Sequence, residues 1–155
     1  MTLPHELTVE QGEHEVIATA FCQPHLYPKL EHIKPIWFST WADRKIWGCL
    51  QFLFRNNGGP EPDLVKRAFD EHYPGESEGL LERLANIVDG FLHARHIDYY
   101  RWLVERSGIR RELADWARTL RELCETATFA EIRKHLANVP ELSVELTDDG
   151  EGVRS

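Results

Sequence analysis

The sequence predicts an all-α fold, with a compact bundle of short helices followed by a projecting αα-hairpin. Apolar residues recur every three or four positions along most of the 155 residues, whereas the alternation typical of strands is confined to residues 142–146. After residue 93 the apolar pattern narrows to a heptad spacing, which is typical of helices that pack in pairs. We therefore expect a compact helical domain over 1–92, a helical hairpin over 93–140 and an acidic, flexible tail over 141–155.

The first two helices of the compact part have clear start and stop signals. The first is expected to begin near Thr8 and to end before Pro24, because proline disfavours a helical backbone in the residue that precedes it. The second is expected to begin near Thr40, which forms a capping-box-like pair with Asp43. It should end at the Asn-Asn-Gly-Gly-Pro run over 56–60, since such runs favour turns.

Two shorter helices should complete the compact part. Asp63 is expected to cap the third helix and Ser77 the fourth, because short polar side chains at these positions can accept hydrogen bonds from the first turn. Trp37, Trp41 and Trp47 lie where this bundle needs large side chains, so we expect all three in the core.

The first arm of the hairpin is expected to run from near Arg95 to Glu125. At 1.5 Å per residue such a helix is about 45 Å long. Its steps from Ile109 onward are four, three, four, three and four, through the apolar residues Leu113, Trp116, Leu120, Leu123 and Ala127. Gly108 falls inside this arm at a cost of roughly 1 kcal/mol, so a break at that position is an alternative.

The second arm of the hairpin is shorter. Thr128 and Glu131 form a capping box at its start. An apolar stripe then follows at steps of three, four and three, through Phe129, Ile132, Leu136 and Val139. The long arm exposes more surface than this short arm can cover, so we expect the uncovered part to meet another chain, in the simplest case a second copy of this one.

The candidate interface residues lie along the long arm. Aromatic side chains are enriched at protein interfaces, which favours this stretch as a contact surface. The partner or oligomer interface is predicted at Tyr99, Trp102, Arg106, Ile109, Leu113 and Trp116. For Trp102 and Trp116, a place in the internal seam of the hairpin is the equal alternative.

Charge and motifs exclude several functions. The formal net charge of −8 argues against a strong non-specific nucleic-acid binder, and Arg110 and Arg111 are the best local candidates for a weak contact with DNA. Neither phosphate-binding glycine signature is present, so no ATP-binding loop, no catalytic residue and no cofactor are expected. The apolar runs are too short to span a membrane, and no signal peptide is expected at the start.

The cysteines and histidines indicate neither a disulfide framework nor a metal site. Cys22, Cys49 and Cys124 are widely spaced and odd in number, which favours free thiols in a reducing cytoplasm. His93 and His96 are three residues apart, but no third ligand stands at a recognisable spacing. We therefore expect no bound metal and a cytoplasmic protein.

Several short fragments follow one another in a recognisable order along the chain. They are Pro4-His5, Glu13 with Val16-Ile17, Ile36-Trp37-Phe38 with Arg44 and Ile46-Trp47, Gly59-Pro60 with Asp63-Leu64-Val65, and Tyr99-Tyr100 with Val104-Glu105-Arg106 and Arg111-Glu112-Leu113. This order resembles the N-terminal domain of DnaB-type replicative DNA helicases. The resemblance covers roughly residues 4–125, and the RecA-like motor domain of that family is missing from this sequence. Ala18 and Asp43 depart from the Gly and His that the family often has.

The resemblance implies an assembly and docking module of DNA replication rather than an active helicase. In the family, such domains pair through their hairpins, and three pairs form a tier of a ring hexamer on which primase and helicase loaders dock. The expected partners are thus a second copy of the chain, a replicative helicase, a primase or a helicase loader. Two alternatives remain open, namely a stand-alone regulator that inserts into a resident helicase ring and a weak DNA-binding accessory protein.

Overall fold

The fold is all-α across the residues that the structure describes, 8–91 and 94–140 of a computed structural model. The six α-helices are α1 (Val9–Cys22), α2 (Trp41–Asn57), α3 (Pro62–His72), α4 (Ser77–Asp89), α5 (Ile97–Thr126) and α6 (Phe129–Leu136). Two short 3₁₀ helices, Pro24–Lys29 and Pro35–Trp37, connect α1 to α2. The expected 141–155 tail and His93 lie outside the described residues.

Helix α1 begins and ends where the sequence predicts. Thr8 caps it with a complete capping box, since the Gln11 backbone N–H donates to Thr8 Oγ1 at 3.1 Å and the Thr8 N–H donates to Gln11 Oε1 at 2.9 Å. The helix stops at Cys22, two residues before Pro24. The side chains of Val16, Ile17 and Ala20 are fully buried, so α1 runs through the middle of the core.

Helix α2 is capped by Thr40, whose Oγ1 accepts from the Asp43 backbone N–H at 3.1 Å. The other half of the expected capping-box pair does not form, because the Asp43 carboxylate lies in the interior and binds Arg83. At the far end Gly58 takes the left-handed conformation, with φ of 79°, that commonly ends a helix. The Asn-Asn-Gly stop signal is therefore confirmed.

Two of the expected helix caps and one expected core residue are wrong. Helix α3 begins at Pro62, which is well suited to a first helical position, so Asp63 lies inside the first turn. Ser77 is likewise the first residue of α4 and accepts no capping hydrogen bond. Trp41 is 74% exposed, because the first turn of α2 buries Asp43 and residue 41 lies on the opposite side of the helix, whereas Trp37 and Trp47 are buried as expected.

Helix α5 belongs to the core over its first half. It is one continuous helix of 30 residues, so the alternative of a break at Gly108 is wrong. Its first half packs against α1 and the 3₁₀ turn at Pro35–Trp37, and it buries Val104 and Ile109 in the same core as α1. The second half of the helix leaves this core.

Candidate interaction surface

The root of the projecting hairpin is fixed by a close contact between Gly108 and Trp37. A Cβ atom at position 108 would overlap the Trp37 side chain and would stand 2.8 Å from its Cα. The Trp37 indole N–H donates to Glu112 Oε1 at 2.8 Å, and Arg111 Nη1 donates to the Trp37 carbonyl at 2.8 Å. Glycine at this position lets the connector lie against α5, and the two flanking hydrogen bonds hold it there.

A second set of polar contacts fixes α5 to the connector nearer its N-terminal end. Glu105 is buried, and its carboxylate pairs with His32 and lies 3.5 Å from the Arg101 Nε. Lys29 Nζ lies 3.8 Å from Asp98 Oδ1 in the first turn of α5. Because each acidic group has a basic partner, this half of α5 is held against the core by polar contacts as well as by apolar packing.

The helices beneath the hairpin are joined by two buried carboxylates. Glu13 is fully buried and accepts hydrogen bonds from the backbone N–H and the hydroxyl of Ser39, the latter at 2.7 Å. Asp43 is fully buried and accepts from Arg83 Nε at 2.6 Å and Nη2 at 2.9 Å, with His14 Nε2 at 3.5 Å. These contacts join α1, α2 and α4 to the turn that carries Trp37.

The charge of Asp43 is stabilised by its partners. Burial alone would raise the pKa of Asp43, but hydrogen bonds and charge from Arg83 and His14 outweigh that effect and lower the pKa from 3.8 to about 2. The acceptance of two hydrogen bonds from one guanidinium is the strong, bidentate form of this pairing. Such a pair serves the fold, and it does not provide a group able to exchange protons at neutral pH.

Beyond Ile109 the long arm has no fully buried residue. Its apolar stripe is only partly covered, at Leu113, Trp116, Leu120, Leu123 and Ala127. Helix α6 covers this stripe, contacts no other helix and has no buried residue of its own. An apolar seam that two helices leave half exposed is the feature of this fold that most resembles an unfilled interface.

Trp116 and His135 hold the two arms together. Their rings stack with centroids 5.0 Å apart and planes 15° from parallel. The Trp116 indole N–H donates to the His135 carbonyl at 3.2 Å, and His135 Nε2 lies 2.9 Å from the Trp116 carbonyl oxygen. The capping box of Thr128 and Glu131 forms as the sequence predicts. The hairpin is therefore a defined unit, and Trp116 occupies its internal seam.

Large apolar side chains remain exposed on α6 and just after it. Phe129 is 83% exposed, Val139 is 52% exposed and Leu136 is 48% exposed. Phe129 lies at the tip of the hairpin, in the first turn of α6, and does not fill the seam that its spacing suggested. Its exposure could not be read from the spacing, because Ile132 and His135 are the α6 residues that turn towards α5.

The six predicted interface residues do not form one patch. Ile109 is 3% exposed and belongs to the core, and Leu113 packs against the core edge. Near the start of α5, Tyr99 and Trp102 stack at 5.7 Å, and the Arg106 guanidinium lies 5.4 Å from the Trp102 ring. Trp102 and Trp116 are about 21 Å apart along the helix axis, so two separate surfaces replace the single one.

The two candidate DNA-contact residues, Arg110 and Arg111, have different surroundings. Arg110 is exposed, but Arg111 is engaged with the Trp37 carbonyl and with the hydroxyls of Ser39 and Ser107. A guanidinium bound to the fold in this way has little donor capacity left for phosphate.

The described part of the chain has neither a cluster of metal ligands nor a membrane-spanning helix. Over 8–91 and 94–140, no group of three or more His, Cys, Asp or Glu side chains is arranged to hold a metal ion. No helix in these ranges has the length and apolar character needed to cross a bilayer. All three cysteines are free, and burial raises the pKa of the Cys49 thiol to about 11.

The fold and surface together define a class, namely an all-α protein with a projecting helical hairpin. The long helix of that hairpin also forms part of the core. No family model matches the chain, and no curated protein matches its sequence.

Proposed function

We propose that this chain is an assembly and docking module of the DNA-replication machinery, similar in role to the N-terminal domain of DnaB-type helicases. Two copies pair through the hairpin of α5 and α6, and the pair docks on a replicative helicase, a primase or a helicase loader in the cytoplasm. One observation carries the proposal: α6 contacts α5 and no other helix, and the hairpin beyond Ile109 contains no buried residue.

The hairpin is suited to pairing because its stripe is apolar and its geometry is already defined. Two hairpins placed with their stripes in contact make a four-helix bundle, and such bundles bury seams with this heptad spacing. The half-exposed residues Leu120 and Leu123 on α5 and Leu136 on α6 supply aliphatic side chains to that bundle. The stacked rings of Trp116 and His135 hold the two arms of each hairpin together before pairing. This order in the free chain lowers the entropy cost of association.

The proposal assigns docking and no catalysis to the chain. The sequence lacks both phosphate-binding signatures, so any motor activity belongs to a partner. DNA contact is weak or indirect in this proposal, because Arg111 is engaged within the fold and the net charge is −8.

The pairing is tested with charged substitutions on the seam. The double variant L120D/L136D places two carboxylates in the proposed bundle, where an unpaired buried charge is costly. Light scattering coupled to size exclusion should show that the wild-type chain pairs and that the mass of the assembly is lower for this variant. The control is A114D, since Ala114 is exposed on the other side of α5 and its substitution should leave the dimer intact. A monomeric wild-type chain at high micromolar concentration would show that self-pairing is wrong.

The docking role needs a separate experiment. Purified chain, immobilised as bait in lysate of its own host, should retain helicase, primase or loader, and L120D/L136D should retain less of the partner that binds the paired form. If none of these three proteins is enriched over a bait-free column, the replication role is wrong even if the dimer exists.

A further inference from the structure

A pocket on the compact part matches the exposed side chain at the hairpin tip. It lies between the end of α1, the start of α3 and the outer face of α4, and it has a volume of about 290 Å³. That is at the lower end of the range for small-ligand sites, so the pocket suits a single large side chain. Its walls are apolar and comprise Phe21, Val65, Leu81, Leu84, Ala85 and Val88.

The rim of this pocket is acidic. Asp89 lines it directly, and the exposed Glu61 and Asp63 flank Pro62, which forms part of its edge. The basic residues next to its lining in the sequence, Lys66 and Arg83, line two other hollows instead. The pocket therefore favours an apolar group that carries positive charge beside it.

The tip of the hairpin offers that combination. Phe129 is 83% exposed, and Arg133 lies four residues further along α6, so the two share a face of the helix. Lys134 is exposed in the same last turn. The acid nearest to Phe129 on α6, Glu131, accepts from the Thr128 N–H in the capping box.

Phe129 cannot reach the pocket of its own chain. Among the helices, α6 contacts α5 alone, whereas the pocket belongs to α1, α3 and α4. Since α5 is one continuous helix rooted in the core, the tip cannot fold back onto α4. A contact between this tip and this pocket can only join two copies.

We propose that Phe129 of one copy inserts into the α1–α3–α4 pocket of a second copy, with Arg133 and Lys134 facing the acidic rim. The two surfaces differ, so the contact is head-to-tail, and repetition closes into a ring or extends as a chain. This contact does not depend on hairpin pairing, because it uses the tip and the pocket rather than the seam.

Two single variants remove opposite halves of the contact. F129A removes the inserted side chain, and A85F fills the pocket from an exposed position on α4. Each should weaken the tip contact about 30-fold, the change expected when an anchoring side chain is lost. The controls A130S and N86F alter exposed positions on the same two helices, outside both this contact and the seam, and should leave the contact unchanged. Sedimentation velocity across a concentration series measures the effect.

Mixing the two variants gives the decisive test. F129A retains an intact pocket, and A85F retains an intact tip. An equal mixture should therefore restore one tip-to-pocket contact per pair of chains, although neither variant alone assembles through this contact. The native cysteines report the contact, because the exposed Cys22 is adjacent to Phe21 in the pocket wall and the exposed Cys124 lies near the tip. A short bismaleimide should join Cys124 of A85F to Cys22 of isotope-labelled F129A.

The outcomes separate the two modes of assembly. Labelled Cys22–Cys124 crosslinks that appear in the mixture, and not in either variant alone, support the tip contact even if L120D/L136D proves the seam irrelevant. Wild-type chain that yields only Cys124–Cys124 crosslinks, or variants whose sedimentation equals that of wild type, would overturn the tip contact and leave hairpin pairing untouched.

Discussion

At the scale of single residues, Asp43 has the best-defined electrostatic role. Its carboxylate is fully buried and binds Arg83 through two hydrogen bonds, with His14 alongside. A carboxylate whose pKa is lower in the folded than in the unfolded chain stabilises the fold at pH values above its unfolded pKa. This contribution is complete above about pH 4 and is lost as the pH falls through the folded pKa of about 2.

We predict that D43N lowers the free energy of unfolding at pH 7 by about 2 kcal/mol, since the folded and unfolded pKa values differ by nearly two units. The gap between wild type and variant should shrink as the pH approaches 2. Urea unfolding at a series of pH values measures it. D115N is the matched control, because the Asp115–Arg118 pair is largely exposed and should contribute less than about 1 kcal/mol. A gap that stays constant with pH would contradict this role for the Asp43 charge.

Gly108 gives a second prediction at this scale. Its replacement by alanine should change the stability of the fold in the direction opposite to the usual one. Glycine to alanine inside a helix normally stabilises by up to about 1 kcal/mol. A Cβ at position 108 would overlap Trp37, so G108A should instead destabilise by about 1–3 kcal/mol. Gly79 in α4 has open space around it, so G79A should be neutral or stabilising. Thermal unfolding of both variants compares them, and equal shifts in Tm would contradict the close contact.

At the scale of helices, the two arms of the hairpin differ in how many contacts hold them to the rest of the fold. The first half of α5 belongs to the core, whereas α6 is held by Trp116, His135 and a few partly buried aliphatic side chains. Segments with little buried apolar surface open at lower free energy than the core does. We therefore expect α6 to exchange its amide hydrogens faster than α1.

W116A should release α6 without unfolding the core. Loss of the stacked ring and its hydrogen bond removes the main contact between the two arms. Hydrogen exchange followed by mass spectrometry should show faster exchange over 129–136 and unchanged exchange over 9–22. W41A is the control, because Trp41 is 74% exposed and supports no neighbouring helix in this way. Faster exchange in both segments would place Trp116 in the global core instead.

Helix positions could be predicted from the sequence better than the surfaces the helices leave open. The capping residues Thr8, Thr40 and Thr128 and the stop at Gly58 are local signals, and each helix end is where they place it. The predicted caps Asp63 and Ser77 are wrong. Helix α3 begins at the neighbouring Pro62, and Glu76 occupies the cap position of α4. Local sequence fixes such ends only to within one or two residues.

Which part of the hairpin stays exposed could not be predicted from the sequence. Heptad spacing locates the hairpin, but the same spacing continues from the buried Ile109 to the half-exposed Leu120 without a change in residue type. Which part of the stripe is covered depends on α1 and Trp37, which lie far away in the sequence. The exposure of Phe129 and the pocket at Ala85 likewise arise from tertiary packing that no local pattern encodes.

At the scale of the whole molecule, association and stability should be linked. If copies pair through folded hairpins, mass action favours the folded state as concentration rises. The midpoint of thermal unfolding should therefore increase with protein concentration for wild type and stay constant for L120D/F129A/L136D, which lacks both the seam and the tip contact. Differential scanning fluorimetry over a hundredfold range measures this dependence. A wild-type midpoint that is independent of concentration would mean that folding gains nothing from pairing.

The packing of α1 against α5 also has a consequence for synthesis on the ribosome. Val16 and Ile17 are made early, but their helix packs chiefly on α5, which is not complete until residue 126. Until the first half of α5 has left the exit tunnel, the apolar face of α1 lacks its main partner, although α2 and α4 are already available. The nascent chain must therefore remain soluble until that half of α5 is made, and the tip of the hairpin emerges only as the core closes. A newly made copy thus completes its core before it can present a tip or a seam to another.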